Sequence, residues 1–274
     1  MKGPGISGFL DANGLRFHSL EWPGTEPLLV LLHPNRANAH VWDFMVAKSK
    51  LQNRIVAVDL RGHGKSEWPN SGYQLTDYTN DVIAIIERLS SSPVILVGGA
   101  TGGNIGLLVA TARPDLVCGL AVIDPGLSLD PAINARVQRE LEHEHSFSSR
   151  EEALASMPFS SLWSTAQKES YAGHAFRESD SGSWEGTYSK AAAGETEHAL
   201  VPAIWNEIRV ECPTLAVRGD RSAVFGRDKL FRLGSILSES VLAEIPMADH
   251  RVMQDNPETL ASMLDGFVNM VGDS

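Results

Sequence analysis

One stretch limits the fold more than any other: Val94-Ile95-Leu96-Val97 runs directly into Gly98-Gly99-Ala100-Thr101-Gly102-Gly103-Asn104. A short apolar run bounded by turn signals reads as a strand buried on both faces, the kind found in parallel sheets covered by helices. The glycines let the chain turn tightly, and Ile105, Leu108, Val109 and Ala112 then fall on one helical face. Strand, tight turn and helix follow one another within a few residues, as in the crossover units of an α/β sheet.

The rest of the chain is read in the same way. Residues 6–10 and 15–20 flank Asn13-Gly14, a hairpin signal. The apolar run at 28–32 reads as a central parallel strand ending in His33-Pro34-Asn35-Arg36, and a short helix is expected around 42–47. Residues 54–59 form another buried strand, followed by Leu60-Arg61-Gly62-His63-Gly64-Lys65-Ser66. Thr76 or Asp77 is the expected cap of a helix whose face is Val82, Ile83, Ile86 and Leu89. The strand at 117–123 stops at Asp124-Pro125-Gly126. Strand signals return at 214–218 and 241–245, before the loop Met247-Ala248-Asp249-His250 and a closing helix from about Pro257. Between them, residues 127–206 are polar and helical, Glu- and His-rich at 140–145 and Gly/Ser-rich at 179–186. They read as an inserted helical cap on a core of residues 1–126 and 207–274. The alternation of apolar strands with helices predicts a doubly wound, mostly parallel α/β sheet.

Composition excludes several functions. A chain of 274 residues with 43% hydrophobic content builds one large core, with or without a cap. A net charge of −11, with no Lys/Arg cluster, leaves no surface to follow a phosphate backbone, so no nucleic-acid partner is expected. Cys118 and Cys212 lie in or beside apolar runs and read as small buried hydrophobes. No disulfide framework is implied, which fits a reducing cytoplasm. The N-terminus has no secretory signal pattern. No apolar run approaches the roughly 20 residues that span a bilayer. The expected partner is a small molecule; the oligomeric state stays open, a homodimer included.

The chemistry begins at the glycine-rich turn. Strand, turn and helix are the context of the Gly-x-Ser-x-Gly nucleophile elbow, and the frame here is Gly98-Gly99-Ala100-Thr101-Gly102, with alanine at its centre. His250 follows the last strand. An imidazole's ordinary pKa, about 6.5, suits a base near neutral pH. Four motifs therefore occur in order, each at a strand end: His33-Pro34-Asn35, the Asp59-to-Ser66 turn, the elbow, and Ala248-Asp249-His250. On these residues the chain resembles the α/β-hydrolase superfamily from about Leu15 to its end, with the cap the least matched part.

The resemblance implies an eight-stranded α/β-hydrolase fold and a nucleophile–acid–histidine order along the chain. That order gives Ala100 at the nucleophile position, Asp124 and His250. The acid has two possible places. At the later one Ser222 stands where aspartate is usual and Asp220 comes too early, so Asp124 is preferred; it can accept the imidazole N–H and fix its tautomer. Asp249 reads as a loop-shaping residue. The implied oxyanion donors are the backbone N–H of Thr101, at a helix N-terminus, and that of Asn35. His33-Pro34 departs from the family's usual His-Gly, and proline has no N–H, but the expected donor is the next residue. Arg36 either grips a substrate carboxylate in two-pronged fashion or is a loop arginine at the surface. Trp163 and Trp184, with Trp205 nearby, form an aromatic pocket ceiling or simply pack the cap. Arg61 and His63 read as structural supports of the turn beneath the elbow. No metal ligand and no cofactor are expected.

Within the superfamily, the early acid and the Asp-His loop are similar to those of cofactor-free hydrolases of N-heterocycle breakdown. The stretch Gly72-Tyr73, Asp77-Tyr78, Asp81 and the strand end Val217-Arg218-Gly219 share that similarity. It implies hydrolysis of a small amide or ester, carboxylate-bearing or heterocycle-derived substrates included. Ala100 admits three readings. Serine is the natural residue and alanine a replacement that traps ligand; or alanine is natural and His250 with Asp124 acts as a general base on water or substrate, as in C–C cleavage or dioxygenolysis; or the chain is a non-catalytic ligand receptor. Gly99 and Thr101 stand where ring-cleaving dioxygenases of this fold often carry histidines, which counts against dioxygenolysis.

Overall fold

In the computed structural model, which describes residues 2–127, 146–156, 163–198 and 204–272, the chain begins with a hairpin. Strands β1 (Ile6–Ala12) and β2 (Leu15–Trp22) pair around Asn13 and Gly14, whose φ of 46° and 74° is what a two-residue hairpin turn demands. Next come β3 (Thr25–Leu32), α1 (Asp43–Lys48), β4 (Asn53–Val58), α2 (Leu75–Leu89), β5 (Val94–Gly99), α3 (Thr101–Ala112) and β6 (Val117–Ile123). After the insertion the sheet resumes with β9 (Thr214–Gly219), α8 (Arg227–Ile236), β10 (Ser240–Ile245), α9 (Val252–Asp255) and α10 (Pro257–Gly272). The insertion itself holds α4 (Arg150–Ala155), α5 (Thr165–Ala175), β7 (Phe176–Glu178), β8 (Trp184–Gly186), α6 (Lys190–His198) and α7 (Ile204–Glu207).

Eight strands join in the order β1-β2-β4-β3-β5-β6-β9-β10, and β2 alone runs antiparallel to its neighbours. This is the doubly wound, mostly parallel sheet that the apolar runs predict. Alternation along each central strand divides the core in two. Leu28, Val30, Leu32, Leu96 and Val122 face α2, α3 and α8, while Leu29, Leu31, Ile95, Val97 and Ile123 face α1, α9 and α10. Burying each such side chain is worth about 1.5–3 kcal/mol. Strands covered on both faces need apolar residues at every position, which explains why these runs show no period of two.

Three expectations need correction. The α2 cap is Gln74, one residue before the helix; Asp77 sits at the third helical position and its carboxylate accepts the Gln74 N–H at 2.9 Å, closing a capping box. Ile83 and Leu89 lie at the margin of the helix's buried face, which centres on Val82, Ile85 and Ile86. Cys118 and Cys212 are half-buried rather than enclosed; burial raises both thiols, that of Cys212 to about 11. In the insertion, the Gly/Ser-rich piece forms the antiparallel β7–β8 hairpin, where the Ser179, Ser181 and Ser183 hydroxyls bond one another. Strands of three half-buried or exposed residues carry no periodic signal. The Glu- and His-rich segment at 140–145 lies outside the described residues.

Asp59, at the end of β4, organises the turn below the site. Its Oδ1 accepts the Ala39 N–H at 2.7 Å, and its Oδ2 accepts His18 Nδ1–H at 2.8 Å and the Lys65 N–H at 2.9 Å. Burial pushes this carboxyl up, but the His18 bond, the nearby His33 imidazole and the two backbone donors together hold it below its ordinary value. Replacing it by alanine leaves buried donors unpaired, and Asp59→Ala is expected to destabilise the protein by about 3–5 kcal/mol. Because the folded carboxyl is the more acidic, its contribution is complete above the ordinary aspartate pKa, about 3.9, and is lost as pH falls through the lower folded value. Urea titrations across that range should show the wild-type advantage shrinking only at the acid end.

Candidate active site

Ala100, Asp124 and Asn35 follow the ends of β5, β6 and β3, and His250 follows β10. At the end of β5, Ala100 adopts φ 47°, ψ −112°, an unusual conformation for a residue with a Cβ. It is held there by its own N–H to Ile123 O at 2.8 Å and by Asn104 N–H to its carbonyl at 3.1 Å. The turn is this tight because α3 starts against the sheet: a Cβ on Gly98 would meet the backbone of Gly102, and one on Gly102 would meet that of Leu32. Thr101 is the first helical residue, so its N–H has no intrahelical acceptor and points with the positive end of the helix dipole.

Asp124 ends β6 with φ 48° and is fully buried. Its Oδ1 accepts His250 Nδ1–H at 2.7 Å and the Ser222 hydroxyl at 2.7 Å; its Oδ2 accepts the Gly219 N–H at 2.9 Å. Ser222, the residue found in place of an aspartate at the later acid position, thus serves the carboxylate at the earlier one. Asp249 accepts the His250 N–H at 2.8 Å, and Asp220 accepts the Ala248 N–H at 3.1 Å. Both shape the loop, and neither reaches the imidazole ring in the structure. With Nδ1 committed to Asp124, Nε2 is the ring nitrogen left for chemistry.

The loop after β3 carries Asn35 and Arg36. A turn closes with Ala37 N–H to Pro34 O at 3.3 Å, and Arg36 takes its left-handed position at φ 59°. Gly99 lies beside Pro34, and a Cβ there would collide with the Met253 methyl while only touching the Pro34 ring. The Asn35 amide donates to Ala193 O at 3.1 Å, tying the loop to α6 in the insertion. Two buried imidazoles support it. His33 Nδ1 donates to Pro34 O at 2.7 Å and Nε2 accepts the Leu60 N–H at 2.9 Å; burial lowers its pKa against the charge of Asp59. Burial and the neighbouring His33 lower His63 to about 3, so it is neutral, with Nδ1 on Arg61 O at 2.9 Å and Nε2 facing the Arg36 N–H at 3.2 Å. Arg61 is paired with Asp81 through both carboxylate oxygens. Arg61 and His63 are structural supports, as the sequence indicates.

A cleft opens between the β3 loop and α5, lined by Arg36, Val41, Trp163, Tyr171, His174 and Gln254. Trp163 is buried, its indole N–H on Asp255 Oδ1 at 2.7 Å and its ring edge-on to Tyr171. Trp184 does not line this cleft; its backbone pairs with Phe147 beside the β7–β8 hairpin. Trp205 packs into the core, with Arg232 over its ring at 4.4 Å. One residue escapes sequence reasoning: Arg251, next to His250, lies 5.7 Å from the Trp163 ring centre, and its buried Nη1 has no hydrogen-bond partner among the described residues. No helix among the described residues is long and apolar enough to cross a membrane.

Comparison with known proteins agrees with this fold. The model of the alpha/beta hydrolase family matches residues 29–263. A 2-(acetamidomethylene)succinate hydrolase from Mesorhizobium japonicum is 27% identical over 258 residues, 90% of this chain and 89% of that protein. The crystal structure of an E-2-(acetamidomethylene)succinate hydrolase superposes with a TM-score of 0.85 at 23% identity, covering 97% of this chain and 99% of the other. An N-formylmaleamic acid deformylase from Pseudomonas putida S16, solved in a serine-to-alanine form, superposes at 0.77 and 21% identity over 94% of this chain and all of the other.

Proposed function

The chain belongs to the alpha/beta hydrolase family, and from that premise we propose that it acts on a small, carboxylate-bearing amide or ester by Ser-His-Asp chemistry, with alanine at the nucleophile position. The observation that carries this reading is the 2.7 Å contact between His250 Nδ1 and a fully buried Asp124, with residue 100 at a strained strand-to-helix turn. A serine hydroxyl at 100 would lose its proton to His250 and attack the carbonyl, and the N–H groups of Thr101 and Asn35 would receive the oxyanion. Asp124 would steady the imidazolium without taking its proton. With alanine, the base and the donors remain and the covalent step is missing, so this form binds substrate and turns it over slowly. The succinate-type substrate named for the relative at 27% identity supports the carboxylate part of the reading. Substrate would lie between the inserted cap (127–206) and the core.

Arg36 and Arg251 are the cations for that carboxylate. The unpaired, buried Nη1 of Arg251 is the stronger motive, because an unsatisfied buried donor costs about 1–3 kcal/mol until a ligand pairs with it. Calorimetric titration with N-acyl amino-dicarboxylates and with their methyl esters tests this. Arg251→Gln should weaken binding of the acids by about ten- to a hundredfold, matching a charged hydrogen bond of ~1.5–3 kcal/mol, and leave the esters unchanged. Equal loss for acids and esters would remove Arg251 from the site. No binding of any amide or ester would remove the hydrolase reading itself.

A further inference from the structure

We propose that His40, Asp43 and His174 form a binding site for a divalent transition-metal ion that fastens the inserted cap to the core. His40 lies in the 3-10 turn Ala39–Trp42 after β3, Asp43 opens α1, and His174 is in the last turn of α5 in the insertion. One ligand atom from each lies within 4.8 Å of the other two, and all three residues are half-buried. None of them touches Ala100, Asp124 or His250 through any hydrogen bond in the structure, so the proposed hydrolytic machinery leaves them unexplained.

The donor chemistry selects the ion. Two imidazoles and one carboxylate suit zinc, nickel, cobalt or copper, whereas calcium and magnesium favour all-oxygen sets. Three protein ligands leave a coordination position for water, and His40 and His174 both line the cleft. His40 Nδ1 now donates to Asp43 Oδ2 at 2.9 Å. Asp43 can bind the ion directly, or stay on Nδ1 and orient the ring while Nε2 binds.

The backbone that carries His174 is positioned without the ion. The His174 carbonyl accepts Asn38 Nδ2–H at 2.9 Å and the Thr187 hydroxyl at 3.0 Å, fixing the end of α5 over the β3 loop. The two rings stack with centres 3.4 Å apart and planes 8° from parallel. An ion must lie in the plane of each imidazole that binds it, so parallel rings cannot share one. Loading therefore has to turn the rings apart, while the backbone bonds keep them at the join. The loaded state holds α5 against the core, beside the cleft.

The test uses the full chain, freed of metal, titrated calorimetrically with zinc and nickel salts, with calcium and magnesium in parallel. One equivalent of zinc or nickel should bind, calcium and magnesium should give no comparable isotherm, and His40→Gln and His174→Gln should each weaken binding by more than about tenfold. Copper(II) loaded at one equivalent into the unaltered chain should give an electron paramagnetic resonance spectrum with two coordinated imidazole nitrogens. That readout needs no variant to fold. Absence of stoichiometric binding, undiminished binding in either glutamine variant, or a copper spectrum without two nitrogens would overturn the site.

Discussion

Ala100→Ser is expected to raise hydrolysis of the amides and esters that the chain binds by roughly 10⁴- to 10⁶-fold in kcat, the range lost when triad members are removed from serine proteases. The turn needs no rebuilding. Ala100 already holds φ 47°, ψ −112°, fixed at both ends by bonds to Ile123 and Asn104. Such a conformation costs about 1–3 kcal/mol, and a hydroxyl on the existing Cβ adds little to that. The measurement is turnover of an amide and ester panel by both forms, with the acyl-enzyme sought by mass spectrometry. If serine gains nothing while the alanine form already turns over, His250 acts on water or substrate directly, and the covalent reading falls.

In that serine background, Asp124→Asn should lower kcat by about 10⁴-fold with little change in KM. The carboxylate is fully buried and accepts from His250, Ser222 and Gly219. An asparagine can keep the Ser222 or the Gly219 bond through its oxygen, but its NH₂ is a donor facing whatever remains. If it faces Nδ1, the imidazole must carry its proton on Nε2 and can no longer accept one from the nucleophile. Circular dichroism should report an unchanged fold. A fall of less than about tenfold would place the functional acid elsewhere, and Asp220 and Asp249 are the neighbours to test next.

Much of this was legible in the sequence, for physical reasons. Parallel strands buried on both faces leave unbroken apolar runs, and the tight approach of α3 to the sheet leaves glycines at 98 and 102. Asp124 could be placed because it directly follows such a run, and His250 because its loop follows the last strand. Ser222 was less visible: it looked like a gap in one triad arrangement, when its hydroxyl in fact supports the other. A hydroxyl residue just past a strand-end glycine was the available signal. Arg251 carried none, since an unpaired nitrogen is a property of packing, not of residue type. The stack of His40 on His174 joins residues far apart in the chain, and nothing local announces it. Gln74 is a less familiar cap than Thr76 or Asp77, and an acidic residue at the third helical position is the sequence mark of a capping box.

Asp255 is one carboxylate with two tenants. Its Oδ1 takes the indole N–H of Trp163, in the insertion, and its Oδ2 takes the backbone N–H of Asp249, the residue before His250. Beside it, Gln167 of α5 donates to Gln254 O at 2.7 Å. Any movement of Trp163 away from Asp255 would leave Oδ1 without its donor, and with it one of the two bonds that hold Asp255 against the loop before His250. By linkage, a ligand that draws Trp163 down stabilises the aligned base, and an aligned base tightens the hold on that ligand by the same factor. Entry of substrate and readiness of the base would then be two readings of a single equilibrium, with Asp255 as its pivot.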